Sequence, residues 1–253
     1  MTGRVIRAEW QKLWVGRTWW VLGGVAVLWC AYIAYSFGLL EVSPPDGAAQ
    51  TTAPSDPASL TALVARQWFQ MHLVTSLLGA LAVTREHSAH TLRRSVLLAG
   101  DRGRLFRAKI VVAAGLGVVY GLVAVAGAAA SAWISLAVLD VPPTTSRELT
   151  LTLIGVFAVS ILGALWGCLL GWALRHPVVT IVVLLVSTLM VEPLLHTLSP
   201  DAFSWTFSIA LGAIYLDGKE GMLDLPWAYA VALAWITGAA ALAATLVRRR
   251  DVE

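Results

Sequence analysis

The chain has 253 residues, of which 58% are hydrophobic and only 13% charged, with twelve Trp and a formal net charge of +3. Soluble domains carry about 25% charged residues. Too few remain here to cover a water-facing surface, which excludes an ordinary soluble enzyme and makes lipid the solvent for much of the molecule.

One integral membrane domain, all-α and covering residues 1–253, is the expected architecture. At the N-terminus, Ile6, Trp10, Leu13 and Trp14 recur at helical spacing, with Arg4, Arg7, Gln11 and Arg17 largely elsewhere. That pattern over 2–17 predicts an amphipathic helix in the headgroup region, the alternative being the frayed start of the first span. No cleavable signal sequence is expected, because the segment is long, Trp-rich and not followed by a small-residue cleavage site.

The first span is expected at about 19–40, followed by a far-side loop over 41–60 that is rich in Pro, Ala, Ser and Thr and lacks Lys and Arg. The second, about 61–83, is the least apolar and carries Arg66, Gln67, Gln70, His72, Thr75 and Ser76. Polar groups at that depth face protein or water. Arg66 and Gln70, one turn apart, suit a polar stripe toward a cavity or partner; equally, Arg66 snorkels to the outer interface. Arg66, Gln70, His72 and, further on, Glu192 are the candidates for a translocation path.

Residues 84–107 form the longest polar interval between apolar segments, and the stretch Thr84–Lys109 holds seven of the eighteen basic residues: Arg85, Arg93, Arg94, Arg102, Arg104, Arg107 and Lys109. The third span, about 108–139, follows. A two-proline turn then leads to the fourth, about 148–174, where Gly163, Gly167 and Gly171 make a ridge that another helix backbone can approach. Such ridges more often pack helices within one chain than build a dimer.

Arg175-His176-Pro177 reads as a tight turn opening the fifth span, about 177–195. An insert at 196–226 contains a weakly apolar run too short to cross, and the sixth span, about 227–247, ends in Arg248-Arg249-Arg250. Fifteen of the eighteen basic residues fall on the side of the termini and the central loop. The positive-inside bias predicts six helices with both termini and residues 84–107 cytoplasmic, and residues 196–226 extracytoplasmic. Cys30 and Cys168 lie in apolar runs and read as packing residues.

Glu86-His87-Ser88-Ala89-His90 has the wrong order and spacing for the H-E-x-x-H zinc motif, so no metal is expected. Lys12, Lys109 and Lys219 precede Leu, Ile and Glu, not the Ser or Thr of a P-loop. The chain is therefore not expected to be an enzyme or to bind a cofactor. Nor is nucleic acid an expected partner, since the positive-inside rule accounts for the basic loop. Among the carboxylates, only Glu192 lies inside an expected span away from its first residue, near an end, which counts against an ion-coupled carrier.

The central stretch resembles the corresponding loop of permease subunits of type-2 ABC transporters, mostly exporters. Glu86, Thr91, Leu92, Ser95, Val96, Arg102 and Lys109 occupy the places of that family's pattern: a Glu, then Gly-Thr-Leu-x-x-Leu-Leu, Pro-x-Ser-Arg, and a Lys seven residues beyond that Arg. His90 replaces the Gly, Ala99 the Pro and Asp101 the Ser. The N-terminal Ala-Glu-Trp-x-Lys-Leu, the six spans, the Arg175-His176 turn and the insert before the last helix follow the same order.

The resemblance implies a coupling helix around His90 to Leu98 that seats in a groove of a separate cytoplasmic ATPase, which would hold the ATP and Mg. Leu92, Val96 and Leu97 would supply an apolar face there, and Arg93 and Arg94 would pair with acidic residues. It also implies a second permease copy or a sibling permease, and residence in a cell membrane; fifteen Arg against three Lys points to a GC-rich bacterial genome. The expected function is export of an antibiotic, peptide or lipid-like substrate, with a non-transporting sensory or assembly subunit as the alternative.

Overall fold

The computed structural model describes residues 2–15, 17–42, 56–89, 91–218 and 221–249. Most of the expected far-side loop, His90, Lys219 and Arg250 lie outside them. Every regular element among the described residues is helical: α1 Thr2–Trp14, α2 Thr18–Val42, α3 Pro57–Arg66, α4 Met71–Ser88, α5 Leu92–Ala99, α6 Arg102–Val138, α7 Arg147–Leu174, α8 Pro177–Val186, α9 Glu192–Leu198, α10 Pro200–Phe203, α11 Phe207–Ile214 and α12 Leu225–Arg249.

The core is organised around α7, where small residues let neighbouring backbones come close. A Cβ added at Gly163, Gly167 or Gly171 would lie 2.5 Å from the His72 carbonyl, 1.8 Å from that of Ser76 and 3.0 Å from that of Ala80. Both helices advance four residues at each step, so α4 and α7 run parallel. The expected ridge therefore packs within the chain. On another side of α7, Gly117 faces Ile161 and Ser160 while Gly121 faces Phe157, a reversed order that makes α6 antiparallel to α7.

Helix α2 lays one stripe (Trp19, Gly23, Ala26, Cys30, Ala34 and Gly38) on the bundle. Gly23 makes room for Tyr120, whose hydroxyl donates to the Trp19 carbonyl at 2.9 Å. The other side of α2 exposes Trp20, Val21, Val25, Leu28 and Trp29. Such a continuous apolar surface suits lipid or another apolar helix surface rather than water.

Among the described residues, five helical segments are long and apolar enough to cross a membrane: Thr18–Leu40, Arg102–Val138, Arg147–Leu174, Pro177–Leu198 and Leu225–Arg249. The expected second span differs. Residues 57–88 form α3, a 3₁₀ turn over Gln67–Gln70, and α4, with Gln67, His72, Thr75 and Ser76 buried among neighbours. The break and these polar groups keep the segment off that set of five. Two further boundaries move. The basic interval 84–107 is mostly helical, since α4 continues to Ser88 and α6 begins at Arg102. The fifth span continues to Leu198 through a π-turn at Ser187–Val191, beside Pro193, which lacks the backbone N–H a regular helix would use.

In the insert, α11 is buried where α7 and α12 converge, with Gly155 directly beneath the Ile214 carbonyl. Trp166, Trp205, Trp227 and Trp235 wall an apolar groove of about 650 Å³ beside it. The start of α6 and the end of α12 meet at one end of the bundle, together with α1 and α5. This is the basic end.

A candidate coupling site at the basic end

Helix α5 is held between two sharply defined turns. Before it, the Thr91 N–H donates to the Glu86 carbonyl at 3.0 Å. After it, Gly100 adopts the left-handed conformation (φ 79°) and its N–H closes on the Val96 carbonyl at 2.9 Å. Asp101 then caps α6, accepting the Arg104 N–H at 3.1 Å. Asp is as good an N-cap as the Ser of the family pattern, so that departure keeps the chemistry. Arg104 also donates to the Ala99 carbonyl at 3.0 Å, tying α5 to α6.

The eight residues of α5 divide by face. Leu92, Ser95 and Ala99 point inward, while Arg93, Arg94, Leu97 and Leu98 point outward, with Leu97 and Leu98 75% and 76% exposed. Leu92 and Val96, expected on an outer apolar face, instead pack inward; Leu98 takes their place beside Leu97. The physical reason is helical phase. Ser95 has a polar partner beneath it, and Leu92 and Ala99 lie on the same side at i−3 and i+4.

That partner is Lys12 of α1, whose Nζ donates to Ser95 Oγ at 3.1 Å and pairs with Glu86 Oε1 at 3.1 Å and with Glu9. Glu9 also pairs with Lys109 Nζ at 2.8 Å, and Lys109 reaches Glu86 Oε2 at 3.2 Å and the Ala82 carbonyl at 2.9 Å. Two carboxylates and two ammonium groups thus alternate in a neutral quartet joining α1, α4 and α6, with α5 resting on it. Lys109 is 3% exposed.

Burial pushes the Glu9 carboxyl up, but the Lys109 charge and hydrogen bonds from Lys109 and Lys12 outweigh it and hold the group below the usual carboxylate range. For Lys12, burial pulls downward, while its bonds and charge interactions with Glu9 and Glu86 win and raise it. The arrangement has no nucleophile–base pair; it is a junction between helices. Space of about 130 Å³ lies beside the quartet and about 150 Å³ between α1 and α5.

Of the expected coupling residues, Glu86, Leu92, Val96 and Lys109 belong to the inner junction, and Arg93, Arg94 and Leu97 to the outer face. Thr91 is in the entry turn and Arg102 starts α6. Glu9 and Lys12 are not among the expected coupling residues, although both belong to the Ala-Glu-Trp-x-Lys-Leu segment of the resemblance. Their signal is a carboxylate set into the apolar stripe of α1, three residues after Ile6 and four before Leu13, where an unpaired charge would be costly.

Each of the four translocation candidates has its own partner. Arg66 pairs with Glu148 at 3.1 Å and donates to the Asp217 carbonyl at 3.3 Å. Gln70 accepts from the Trp29 indole at 2.8 Å. His72 bonds the Phe69 carbonyl at 2.7 Å and stacks on the Phe69 ring. Glu192 accepts the Ser208 N–H at 2.7 Å, linking α9 to the start of α11. None of them lines the Trp-walled groove.

Comparison with curated proteins gives no match. A family model described as ABC-2 family transporter protein matches residues 5–191, from α1 through the π-turn and so including the whole junction. Together with the five lipid-length helices, this places the chain in the ABC-2 family of transporter proteins, multi-pass membrane permeases of ABC transporters that normally work with a separate ATP-binding subunit.

Proposed function

We propose that the chain is the transmembrane subunit of a bacterial plasma-membrane exporter, and that α5 is the helix through which a cytoplasmic ATPase drives it. The single observation carrying this reading is the two-faced character of α5. Its outer side offers two exposed leucines flanked by two arginines, a surface suited to a groove with an apolar floor and acidic rim. Its inner side rests on charges belonging to three other helices, so a push on α5 is delivered to α1, α4 and α6 together. Closure of two ATPases would displace two copies of α5 and rock the spans between access states.

In this reading the basic end faces the cytoplasm, in keeping with its concentration of arginine. The α3–α4 segment is the sixth crossing, its polar groups covered by α7 and its neighbours. The cargo is an antibiotic, peptide or lipid-like molecule passing between this chain and a second copy or a sibling permease. The test is charge reversal, Arg93→Glu with Arg94→Glu, in the permease co-expressed with the ATPase. ATP-dependent export is expected to fall at least tenfold and ATPase co-purification to weaken, with membrane insertion unchanged. Undiminished export would remove α5 from the coupling path. An Arg93→Cys variant labelled only from outside the cell would overturn the orientation.

A further inference from the structure

Away from the quartet, α6 and α12 part at the basic end around a cleft of about 630 Å³. Three arginines line it, Arg102 and Arg107 from α6 and Arg248 from α12, residues far apart in the chain that converge on one space. Its other wall is apolar, made by Phe106, Ala244 and Val247. One carboxylate, Asp101, also lines the cleft, but it is engaged as the cap of α6. Arg102 is itself engaged, so among the described residues Arg107 and Arg248 are the cations that a ligand in the cleft would meet. Arg107 is braced along its own helix by a bond to the Gly103 carbonyl at 3.3 Å.

We propose that this cleft binds the phosphate headgroup of an anionic phospholipid, with the start of an acyl chain against Phe106, Ala244 and Val247. Guanidinium groups match phosphate oxygens in geometry as well as charge. The volume lies within the range of roughly 300–1,000 Å³ typical of small-molecule sites and is far larger than a lone phosphate ion fills. The depth is also right. One turn inward from Arg107, Val111 exposes half its surface, and less than two turns inward from Arg248, Leu242 exposes 56%. The arginines therefore sit at the level where lipid-facing surface begins. Basic clefts between helices at that level select anionic headgroups. Because the lipid would bridge α6 and α12, it would splint the last helix to the rest of the bundle.

This inference does not depend on α5 being the coupling helix. The test uses the full-length permease purified in a neutral detergent, with phosphatidylglycerol, phosphatidylcholine or inorganic phosphate as probes and binding read by native mass spectrometry and thermal shift. Phosphatidylglycerol is expected to bind and raise the Tm, and phosphatidylcholine to do so much more weakly. Removing both charges, Arg107→Gln with Arg248→Gln, is expected to weaken phosphatidylglycerol binding about thirtyfold, from about fivefold per basic residue. Arg107→Lys with Arg248→Lys should bind phosphatidylglycerol between the parent and the Gln variant, keeping the charge and losing the fork geometry, which separates lost charge from a damaged fold. The proposal is overturned if the Gln variant binds phosphatidylglycerol within twofold of the parent. Equal protection by inorganic phosphate would make this a simple anion site. Loss of the ATPase complex with lipid preference intact would make it a protein-docking surface.

Discussion

The two ends of this bundle each hold charged residues, and they hold them differently. At the basic end, Glu9, Lys12, Glu86 and Lys109 form a closed quartet in which Lys109, Glu9 and Glu86 are 3%, 6% and 14% exposed at the side chain, while Lys12, at 43%, reaches water. At the opposite end, Arg66 and Glu148 form one pair, 16% and 40% exposed, with the Asp217 carbonyl as a third partner. The first arrangement joins three helices and carries a fourth; the second ties α3 to the start of α7. Charges sunk to that depth are tolerable only when every one has a partner, so the quartet stands or falls as a unit. Water still shares the load on Glu148.

The largest effect should come from breaking the quartet on one side. Lys109→Met leaves Glu9 buried without its main partner and is expected to cost about 3–5 kcal/mol. Thermal unfolding in detergent measures it. Glu9→Gln combined with Lys109→Met should lose clearly less than the two single losses added together, because the removed charges compensate each other. Simple additivity would mean that the two groups do not act through each other.

Much of this was readable beforehand, and the failures have physical causes. The glycine ridge at 163, 167 and 171 is a local repeat on one helix, so its packing role could be anticipated, and the asymmetry of arginine is likewise a matter of counting. The quartet could not be read in the same way. Glu9 and Lys109 lie 100 positions apart, and a long-range ion pair leaves no periodicity behind. The inner face of α5 is not legible in the sequence, because leucines occur on both of its sides and only the polar partner beneath Ser95 decides between them. The polar character of residues 61–83 was visible, but the 3₁₀ turn at Gln67–Gln70 contains no Gly or Pro to announce it.

Next in size is the α4–α7 contact that leads toward the quartet. Gly167→Ala places a methyl 1.8 Å from the Ser76 carbonyl oxygen, which belongs to a helix backbone and cannot swing away. The helices must separate, at a cost of about 1–3 kcal/mol. Gly24→Ala on lipid-facing α2 meets nothing within 4 Å and should be neutral or slightly stabilising, helix propensity favouring Ala by about 1 kcal/mol. Equal losses at the two glycines in thermal unfolding would deny any special closeness between α4 and α7.

A smaller signature is the response to pH. The depressed Glu9 group stabilises the fold above its unfolded value of 4.5, and that contribution is lost as pH falls through the lower folded value. The raised Lys12 group contributes fully below 10.5 and loses its contribution as pH rises through the higher folded value. The contribution of Glu9 and Lys12 should therefore be level between these limits and fall off on both sides. In Lys109→Met the acid limb should shrink, since the carboxylate has lost the charge that most strongly depresses it. An acid limb of unchanged size, measured as Tm against pH, would assign the acid sensitivity to other groups.

The smallest effect belongs to the opposite end. Glu148→Gln removes the ionic half of the Arg66 contact but leaves the guanidinium its bond to the Asp217 carbonyl. It also removes a carboxylate from the first turn of α7, where the helix dipole favours it. Neither term is large at a site water can reach, so the loss should be about 1 kcal/mol or less and should shrink further in high salt. A loss matching that of Lys109→Met would mean that depth does not distinguish the two ends. Transport gives the independent reading. If Glu148→Gln barely changes stability yet alters export of a cargo, Arg66 belongs to the path; if both stay near the parent, Arg66 is only a surface tie between α3 and α7.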